Sequence, residues 1–182
     1  FGVSLISARL LGSEQFGALG LLLATAATYA VFSGAWLGVI ATKLVSETHA
    51  RDSKKIGAVI RQLLITTMFL GSVLGAVFLA CSAWVATLWS STLDLENGLR
   101  WVALLQLLNA VESVQQGAFT GLQAYRVIMR ISVFRALAAL PLTFAGIQLG
   151  GLEGALLAAL MTSMTAIIIG LHALIPAVHA VG

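Results

Sequence analysis

Charged residues are scarce in this chain: Asp, Glu, Lys and Arg make up only 9% of its residues, whereas 59% are hydrophobic. Soluble domains carry about 25% charged residues, so this chain has too few to cover a surface that faces water. Its mean hydropathy is +1.00, and its apolar runs reach about 20 residues, the length of a membrane-spanning helix. The sequence therefore predicts an integral membrane protein with an all-α fold, a bundle of transmembrane helices.

Cysteine and aspartate are also scarce, and this scarcity argues against several kinds of enzyme. The single Cys81 rules out an internal disulfide. Because the only aspartates are Asp52 and Asp94, the chain lacks the clustered Asp residues with which prenyl transferases hold magnesium and diphosphate. The sequence contains no Walker loop and no Ser or Cys beside a His for nucleophilic catalysis. We expect no enzymatic activity, no cofactor and no metal site.

Turn residues divide the hydrophobic sequence into six predicted helices, and the whole chain forms a single transmembrane lobe. Gly12 and Ser13 mark the first turn, and the Gly-rich segment 150–154 marks the last. The chain begins at Phe1 with an apolar run about half as long as a full span, so we expect the sequence to start within a helix. The predicted helices cover approximately residues 1–11, 16–42, 54–89, 99–123, 131–149 and 154–175.

Two pairs of glycines, each spaced four residues apart, lie in the predicted second and third helices. These pairs are Gly34 with Gly38 and Gly71 with Gly75. Small residues at this spacing let two helices approach closely. The pairs therefore predict helix packing and carry no further information on function.

Basic residues concentrate at the junctions after the second and fourth helices. Cytoplasmic loops carry an excess of Lys and Arg, so segments 43–61 and 124–130 are predicted to be cytoplasmic in a multi-pass membrane protein. Because the net charge of +3 is concentrated there, Arg126 and Arg130 are expected to meet anionic lipid, and nucleic acid is not an expected partner. Eight of the ten basic residues belong to this group: Lys43, Arg51, Lys54, Lys55, Arg61, Arg126, Arg130 and Arg135.

The predicted fourth helix carries a polar stripe that a helix facing only lipid would not have. At roughly 100° of rotation per residue, its members fall within an arc of about 120°, and only Gln115 lies outside that arc. Aligned polar groups in a membrane span imply a polar neighbour, which is either another helix or a wet cavity. The stripe consists of Gln106, Asn109, Glu112, Ser113, Gln116, Thr120 and Gln123.

Glu112 lies near the middle of the fourth helix. A charged side chain at the bilayer centre costs on the order of 2.5–3.5 kcal/mol on insertion scales, so Glu112 is expected to face the interior of the bundle. It could be a protonation site that couples transport to an ion, or the counter-ion of a basic cavity. Alternatively, a protonated Glu112 could join Asn109 and Gln116 in hydrogen bonds between helices.

Arg9 and Arg135 lie within predicted apolar helices rather than at their ends. Arg9 could face an anion site, or its long side chain could reach the membrane interface, and its position alone favours the second role. Arg135 lies about one turn deeper than Arg130. It could contact a phosphate or Glu112.

Three short motifs resemble those of polysaccharide and O-antigen flippases. Residues 8–17, ARLLGSEQFG, resemble the Arg-Leu-Leu-Gly-Pro-Glu-x-Phe/Tyr-Gly end of that family's first helix, with Ser13 where the family usually has Pro. Residues 121–126, GLQAYR, resemble the end of its fourth helix, and residues 149–155, LGGLEGA, resemble the turn before its sixth. These flippases belong to the multidrug/oligosaccharidyl-lipid/polysaccharide exporter superfamily, whose members pair two six-helix lobes. The resemblance implies the N-terminal lobe.

The resemblance also implies a function and a site. The protein would flip a polyprenyl-diphosphate-linked oligosaccharide across the bacterial inner membrane, by alternating access of two lobes, for polysaccharide, lipopolysaccharide or O-antigen biosynthesis. Arg9 matches a family arginine on the cavity side of the first helix, and Lys43 falls where members often have a basic residue. The expected partners are this lipid-linked oligosaccharide, membrane lipids and a second six-helix lobe on the same or another chain. Glu112 and Arg135 match no family motif, so their roles, like those of Asn109 and Gln116 in the polar stripe, rest on the physical argument alone. With these included, the candidate substrate-binding residues are Arg9, Lys43, Asn109, Gln116 and Arg135, and Glu112 is the candidate ion-coupling residue.

Two alternatives remain open at this point. In a drug or small-cation exporter of the same superfamily, Glu112 would bind the cargo or the coupling ion, and a basic cavity would be a disadvantage. In a scaffold without transport activity, the polar stripe would pack against Thr162, Ser163 and Thr165 of a neighbouring helix. A stripe that faces an accessible concavity favours transport, whereas a fully buried stripe favours the scaffold.

Overall fold

The computed structural model describes residues 2–30, 36–88 and 95–179. Five long helices account for nearly all of these residues, and no strand occurs in these ranges. The all-α membrane helix bundle predicted from the sequence is thereby confirmed. The helices are α1 (Gly2–Ala30), α2 (Trp36–Arg51), α3 (Ile56–Leu88), α4 (Leu95–Gly121) and α5 (Tyr125–His179), and a short 3₁₀ helix (Ser53–Lys55) precedes α3.

Two helices are long and apolar enough to cross a membrane: Ile56–Ala80 within α3 and Tyr125–Pro176 within α5. A third candidate joins Ser7–Ser13 to Gln15–Thr28 within α1, across a bend of 111°. At the bend, Gly12 has a φ of 74°, a left-handed conformation that glycine adopts without steric cost. The bend falls in the turn predicted from the sequence.

The helix α5 folds back on itself at Gly150 and Gly151, where the backbone leaves helical geometry and Gly151 has a φ of 55°. A Cβ atom at Gly146 would contact the Cβ of Ala158 at 3.0 Å. Residues twelve apart in a straight helix would be about 18 Å apart, so α5 is a hairpin. We call residues 125–149 its outbound arm and residues 152–179 its return arm, and the reversal falls within the Gly-rich segment predicted as a turn.

Helix boundaries near the basic junctions differ from the sequence prediction. The second predicted helix was expected to end near Thr42, but α2 continues to Arg51, and α5 begins at Tyr125 rather than near residue 131. The residues between Thr42 and Arg51 are polar yet helix-compatible, and Lys43 pairs with Glu47 one turn later at 4.0 Å. Hydropathy indicates where a helix leaves the lipid, but the helix itself can continue beyond that point.

The central helix of the bundle is α4, which packs against α1, α2, α3 and α5. A methyl group at Gly117 would overlap the carbonyl oxygen of Gly38, and a Cβ at Gly121 would lie 2.8 Å from the carbonyl oxygen of Thr42. Backbones approach this closely only where side chains are small. Because these contacts advance in the same direction along both helices, α2 and α4 run parallel, and Arg51 lies at the same end of the bundle as Gly121.

The helix α3 runs antiparallel to α4. Gly71 faces Leu107, whose side chain would lie 2.7 Å from a Cβ at that position, and Gly75 faces the carbonyl oxygen of Ala103. Helix α3 therefore starts where α2 and α4 end, and we call this end, with the junctions 51–56 and 121–126, the basic end. The packing role predicted for these glycines and for Gly38 is confirmed, whereas Gly34 lies outside the described residues.

Candidate functional site

Glu112 and Arg135 face each other from α4 and the outbound arm of α5. The guanidinium Nη1 of Arg135 donates to the carboxylate Oε1 of Glu112 in an ion pair. One turn further along α4, the amide Nε2 of Gln116 donates to the same oxygen at 3.5 Å. The Glu112 side chain is 9% exposed and that of Arg135 is 38% exposed. The carboxylate is thus enclosed, while the guanidinium keeps part of its surface free for another contact.

The ion pair lies about halfway through the bundle. At 1.5 Å per residue, Glu112 is about 14 Å from Gly121 and Arg135 is about 15 Å from Tyr125. Half of a typical hydrocarbon core is about 15 Å. Both charges are therefore too deep for either residue to place its charged group in bulk water outside the bilayer.

A tight turn between α4 and α5 brings these two residues to the same depth. The amide of Ala124 donates to the carbonyl oxygen of Phe119 at 2.9 Å, and the amide of Gln123 donates to that of Thr120 at 3.0 Å. With Gln123 at a φ of 55°, these two bonds form a Schellman motif, the common C-terminal cap of helices. Gln123 therefore belongs to the turn. Because the connection between the two helices is this short, the turn fixes the position of the outbound arm along α4.

A cavity of about 250 Å³ lies beside the ion pair, between α4 and both arms of α5. It extends from the ion pair toward the basic end, because Phe119 and Ile128 also line it. Its volume arises from small residues on the facing arms, among them Ala136, Ala139 and Ala166. The hydrophilic side chains in its wall are Glu112, Gln115, Gln116, Ser132 and Arg135.

Gln115 connects α4 to the return arm on the far side of the cavity. Its amide Nε2 donates to the backbone carbonyl of Ile167 at 3.1 Å, and the side chain is buried. Gly170 makes room for this amide, since a Cβ there would lie 2.6 Å from Oε1 of Gln115. Helical geometry places Gln115 outside the polar stripe. A single polar side chain on an otherwise apolar face indicates a contact with a different helix, and this is the signal in the sequence for the bond to the return arm.

The structure separates the residues that the sequence groups as one substrate site. Gln116 and Arg135 line the cavity together with Glu112, whereas Asn109 is half-buried and outside the lining. Arg9 is exposed on α1, and Lys43 is exposed on α2 beside Glu47. The cavity wall therefore contains two of the five candidate substrate-binding residues.

The polar stripe of α4 is not one continuous cavity wall, because it faces more than one neighbour. Gln106 is buried, and Ser113 packs against Gly38 of α2. An arc of about 120° is wide enough on a central helix to contact two helices at once. Two of the three neighbours named by the scaffold alternative bond within their own helix: Thr162 and Thr165 donate to the carbonyl oxygens of Ala158 and Met161.

No group of three His, Cys, Asp or Glu side chains lies together as metal ligands in the part of the chain that the structure describes. A protein-family model described as "Polysaccharide biosynthesis protein" matches residues 1–178, nearly the whole chain. No curated protein and no solved structure matches the sequence.

Proposed function

We propose that this chain, which belongs to the polysaccharide biosynthesis protein family, is one lobe of a transporter that moves a lipid-linked oligosaccharide across the bacterial plasma membrane. Membership supports a flippase-type transporter, and members of the family are generally transporters rather than enzymes. The cargo we propose is a polyprenyl-diphosphate-linked oligosaccharide used in polysaccharide, lipopolysaccharide or O-antigen biosynthesis. The basic end of the bundle would face the cytoplasm.

The observation that supports this function best is the Glu112–Arg135 pair beside a cavity at mid-membrane depth. A sugar-phosphate head group loses its hydrogen bonds to water in hydrocarbon, at a cost of several kcal/mol for each polar group. The guanidinium has five N–H donors, and its exposed part can offer some of them to a phosphate. Gln116 and Ser132 add neutral hydrogen-bonding groups to the same wall.

The cavity volume limits how much of the cargo this lobe can hold. Pockets for small molecules usually measure about 300–1,000 Å³, and this cavity measures about 250 Å³. It would accept a phosphate group but not an oligosaccharide. We therefore propose that a second six-helix lobe, on the same or another chain, completes the site and that the two lobes alternate access to it.

Glu112 is the proposed ion-coupling residue. Its carboxylate competes with a substrate phosphate for the same guanidinium, since both are anions that Arg135 would bind. A proton taken up at Glu112 would release Arg135 for the phosphate. Substrate binding and ion uptake at this pair would then favour each other, which is a favourable coupling free energy between the two.

Arg9, Lys43 and Asn109 are proposed to contact the cargo outside this cavity. Arg9 and Lys43 are exposed on α1 and α2, so they would reach the substrate on the surface that faces the second lobe. Their roles therefore require the complete transporter, whereas those of Arg135 and Gln116 lie within this chain.

Neither alternative function is favoured by the geometry. A small-cation exporter needs a carboxylate that its cargo can reach, but Glu112 is enclosed and paired with Arg135. A scaffold needs a polar stripe packed entirely against helices, but Gln116 is exposed at the cavity.

Polysaccharide export tests the proposed function. The full-length protein would be expressed in a bacterial strain that lacks its own lipid-linked oligosaccharide flippase, and surface polysaccharide would be measured. Arg135→Gln should lower export about tenfold or more, because a charge-assisted hydrogen bond contributes about 1.5–3 kcal/mol. Arg135→Lys should retain part of it, since the charge remains without the planar donor array.

Arg126→Gln provides the matched control, because Arg126 is an exposed arginine at the basic end and should be dispensable. Wild-type export by Arg135→Gln, at equal protein levels, would contradict the function proposed for the cavity. If Glu112→Gln left the pH dependence of export unchanged, ion coupling through Glu112 would be ruled out while the transport function remained.

A further inference from the structure

Two apolar grooves flank the last turns of the return arm, at the basic end of the bundle. The first, of about 340 Å³, lies between the start of α3 and the return arm, where Ile60 and Arg61 face Leu171 and Ile175. The second, of about 630 Å³, lies between the two arms of α5. The end of the return arm thus packs loosely on both sides, although the rest of that arm is held firmly against the bundle by contacts such as that of Gln115.

The second groove repeats the composition of the first. Arg130 and Phe134 of the outbound arm face Ile169 and Pro176 of the return arm. Among the described residues that line each groove, a single arginine carries the charge, and the others are apolar.

Both arginines lie at the same depth. Arg61 is five residues into α3 and Arg130 is five residues into α5, a rise of about 7.5 Å from Ile56 and from Tyr125. A long side chain at this depth can place its guanidinium at the boundary between hydrocarbon and head groups while its methylene groups remain in lipid. This boundary is where the phosphate of a phospholipid lies.

We propose that each groove binds one anionic phospholipid, with an acyl chain between the helices and the phosphate on Arg61 or Arg130. The apolar wall fits a hydrocarbon chain, and a single arginine that can extend to the interfacial end of the groove fits a head group with net negative charge. Inorganic phosphate would leave the apolar wall uncovered, and a zwitterionic lipid would bring its own cation next to the arginine. One arginine near the membrane surface favours an anionic over a neutral lipid about five-fold.

These bound lipids would fill the gaps on both sides of the return arm and so fix its end against α3 and the outbound arm. Leu174 of the return arm already shares an apolar cluster with Ile56 and Ile60 of α3. A lipid chain in the first groove would extend that cluster toward the membrane surface. The inference requires that the chain spans a membrane but does not depend on the transport function.

Native mass spectrometry of the full-length protein in detergent tests this inference, because it counts the lipids that remain bound. After titration with phosphatidylglycerol, the wild-type protein should retain two lipids at saturation. Below saturation, R61Q and R130Q should each bind about five-fold less lipid at one groove, and the double variant about five-fold less at both. Titration with phosphatidylcholine should leave both grooves largely unoccupied. A thermal melting curve of each variant establishes that it is folded.

Arg126→Gln separates a specific site from general attraction to a basic surface, since Arg126 is exposed at the same end but lines neither groove. Below saturation it should bind as much lipid as the wild-type protein. Equal binding by the double variant, or equal retention of phosphatidylcholine, would overturn the proposal. Displacement of phosphatidylglycerol by a polyprenyl phosphate at an equal concentration would also overturn it, because the grooves would then bind the tail of the cargo.

Discussion

Two faces of the same helix, α4, form opposite kinds of interface, one closely packed and one that borders a cavity, although their residues alternate along one short stretch of sequence. On the face toward α2, Gly117 and Gly121 bring the two backbones into contact. On the face toward α5, Glu112 and Gln116 border a cavity of about 250 Å³. Small residues spaced four apart close one interface, whereas long polar side chains opposite alanines leave the other open.

The two faces also differ in what holds them. The closed face depends on van der Waals packing between closely spaced backbones, which is one of the forces that associate helices in a membrane. The open face depends on an ion pair and on single hydrogen bonds, and each of these groups can exchange its partner for a ligand. The transport proposed above needs one interface that stays intact and one that can change, and the two faces of α4 fit that requirement.

Breaking the closed face should have the largest effect on stability. Gly117→Leu would force a side chain into the carbonyl group of Gly38, and we expect a loss of about 3 kcal/mol or more, the upper range for overpacking. The free energy of unfolding in mixed detergent micelles measures this. Gly20→Leu is the matched control, since a Cβ there meets no atom within 4 Å. Equal losses in the two variants would show that the α2–α4 contact is not critical.

Breaking the ion pair of the open face should have a smaller effect on stability. Arg135→Gln leaves the enclosed carboxylate of Glu112 without its cation, and we expect a loss of about 2 kcal/mol, below the range for a fully buried pair because Arg135 is partly exposed. The double variant Glu112→Gln with Arg135→Gln should recover most of this loss. A double-mutant cycle of unfolding free energies measures the coupling. Additive losses would indicate that the two charges do not interact.

Removing the hydrogen bond across the cavity should have the smallest effect. Gln115→Leu loses one bond to the carbonyl of Ile167, and such bonds between membrane helices contribute about 0.6 kcal/mol, with a maximum near 1.7. The melting temperature in detergent should fall slightly relative to wild type. Gln62→Leu makes the same chemical change at an exposed site on α3 and should not lower it. A larger fall for Gln62→Leu would contradict the role of Gln115.

The fold class could be predicted because the length of the apolar runs indicates membrane-spanning helices. The main reversals of the chain could be predicted because glycines mark them. The bend at Gly12 and the hairpin turn at Gly151 both need a backbone conformation that glycine provides. The extension of α2 to Arg51 could not be predicted, because polar residues signal the edge of the membrane as readily as the end of a helix.

The site was harder to predict than the fold, because helical periodicity assigns side chains to faces but not to neighbours. The contact of Arg135 with Glu112 was one of two contacts expected for this arginine, and it became visible only with the packing of α5. Helical periodicity placed Ser113 and Glu112 on the same face of α4, but Ser113 packs against α2 whereas Glu112 contacts α5. Function at Arg9 depends on a surface outside this lobe and stays a prediction.

The three-residue connection between α4 and α5 fixes the register of the site from a distance. The Schellman motif at Gln123 leaves no slack between Gly121 and Tyr125. One residue inserted in this turn would break the two hydrogen bonds of the Schellman motif and so remove the constraint that holds Arg135 level with Glu112. Most surface connections tolerate a change of length, but this short turn at the basic end positions a charge about 15 Å away.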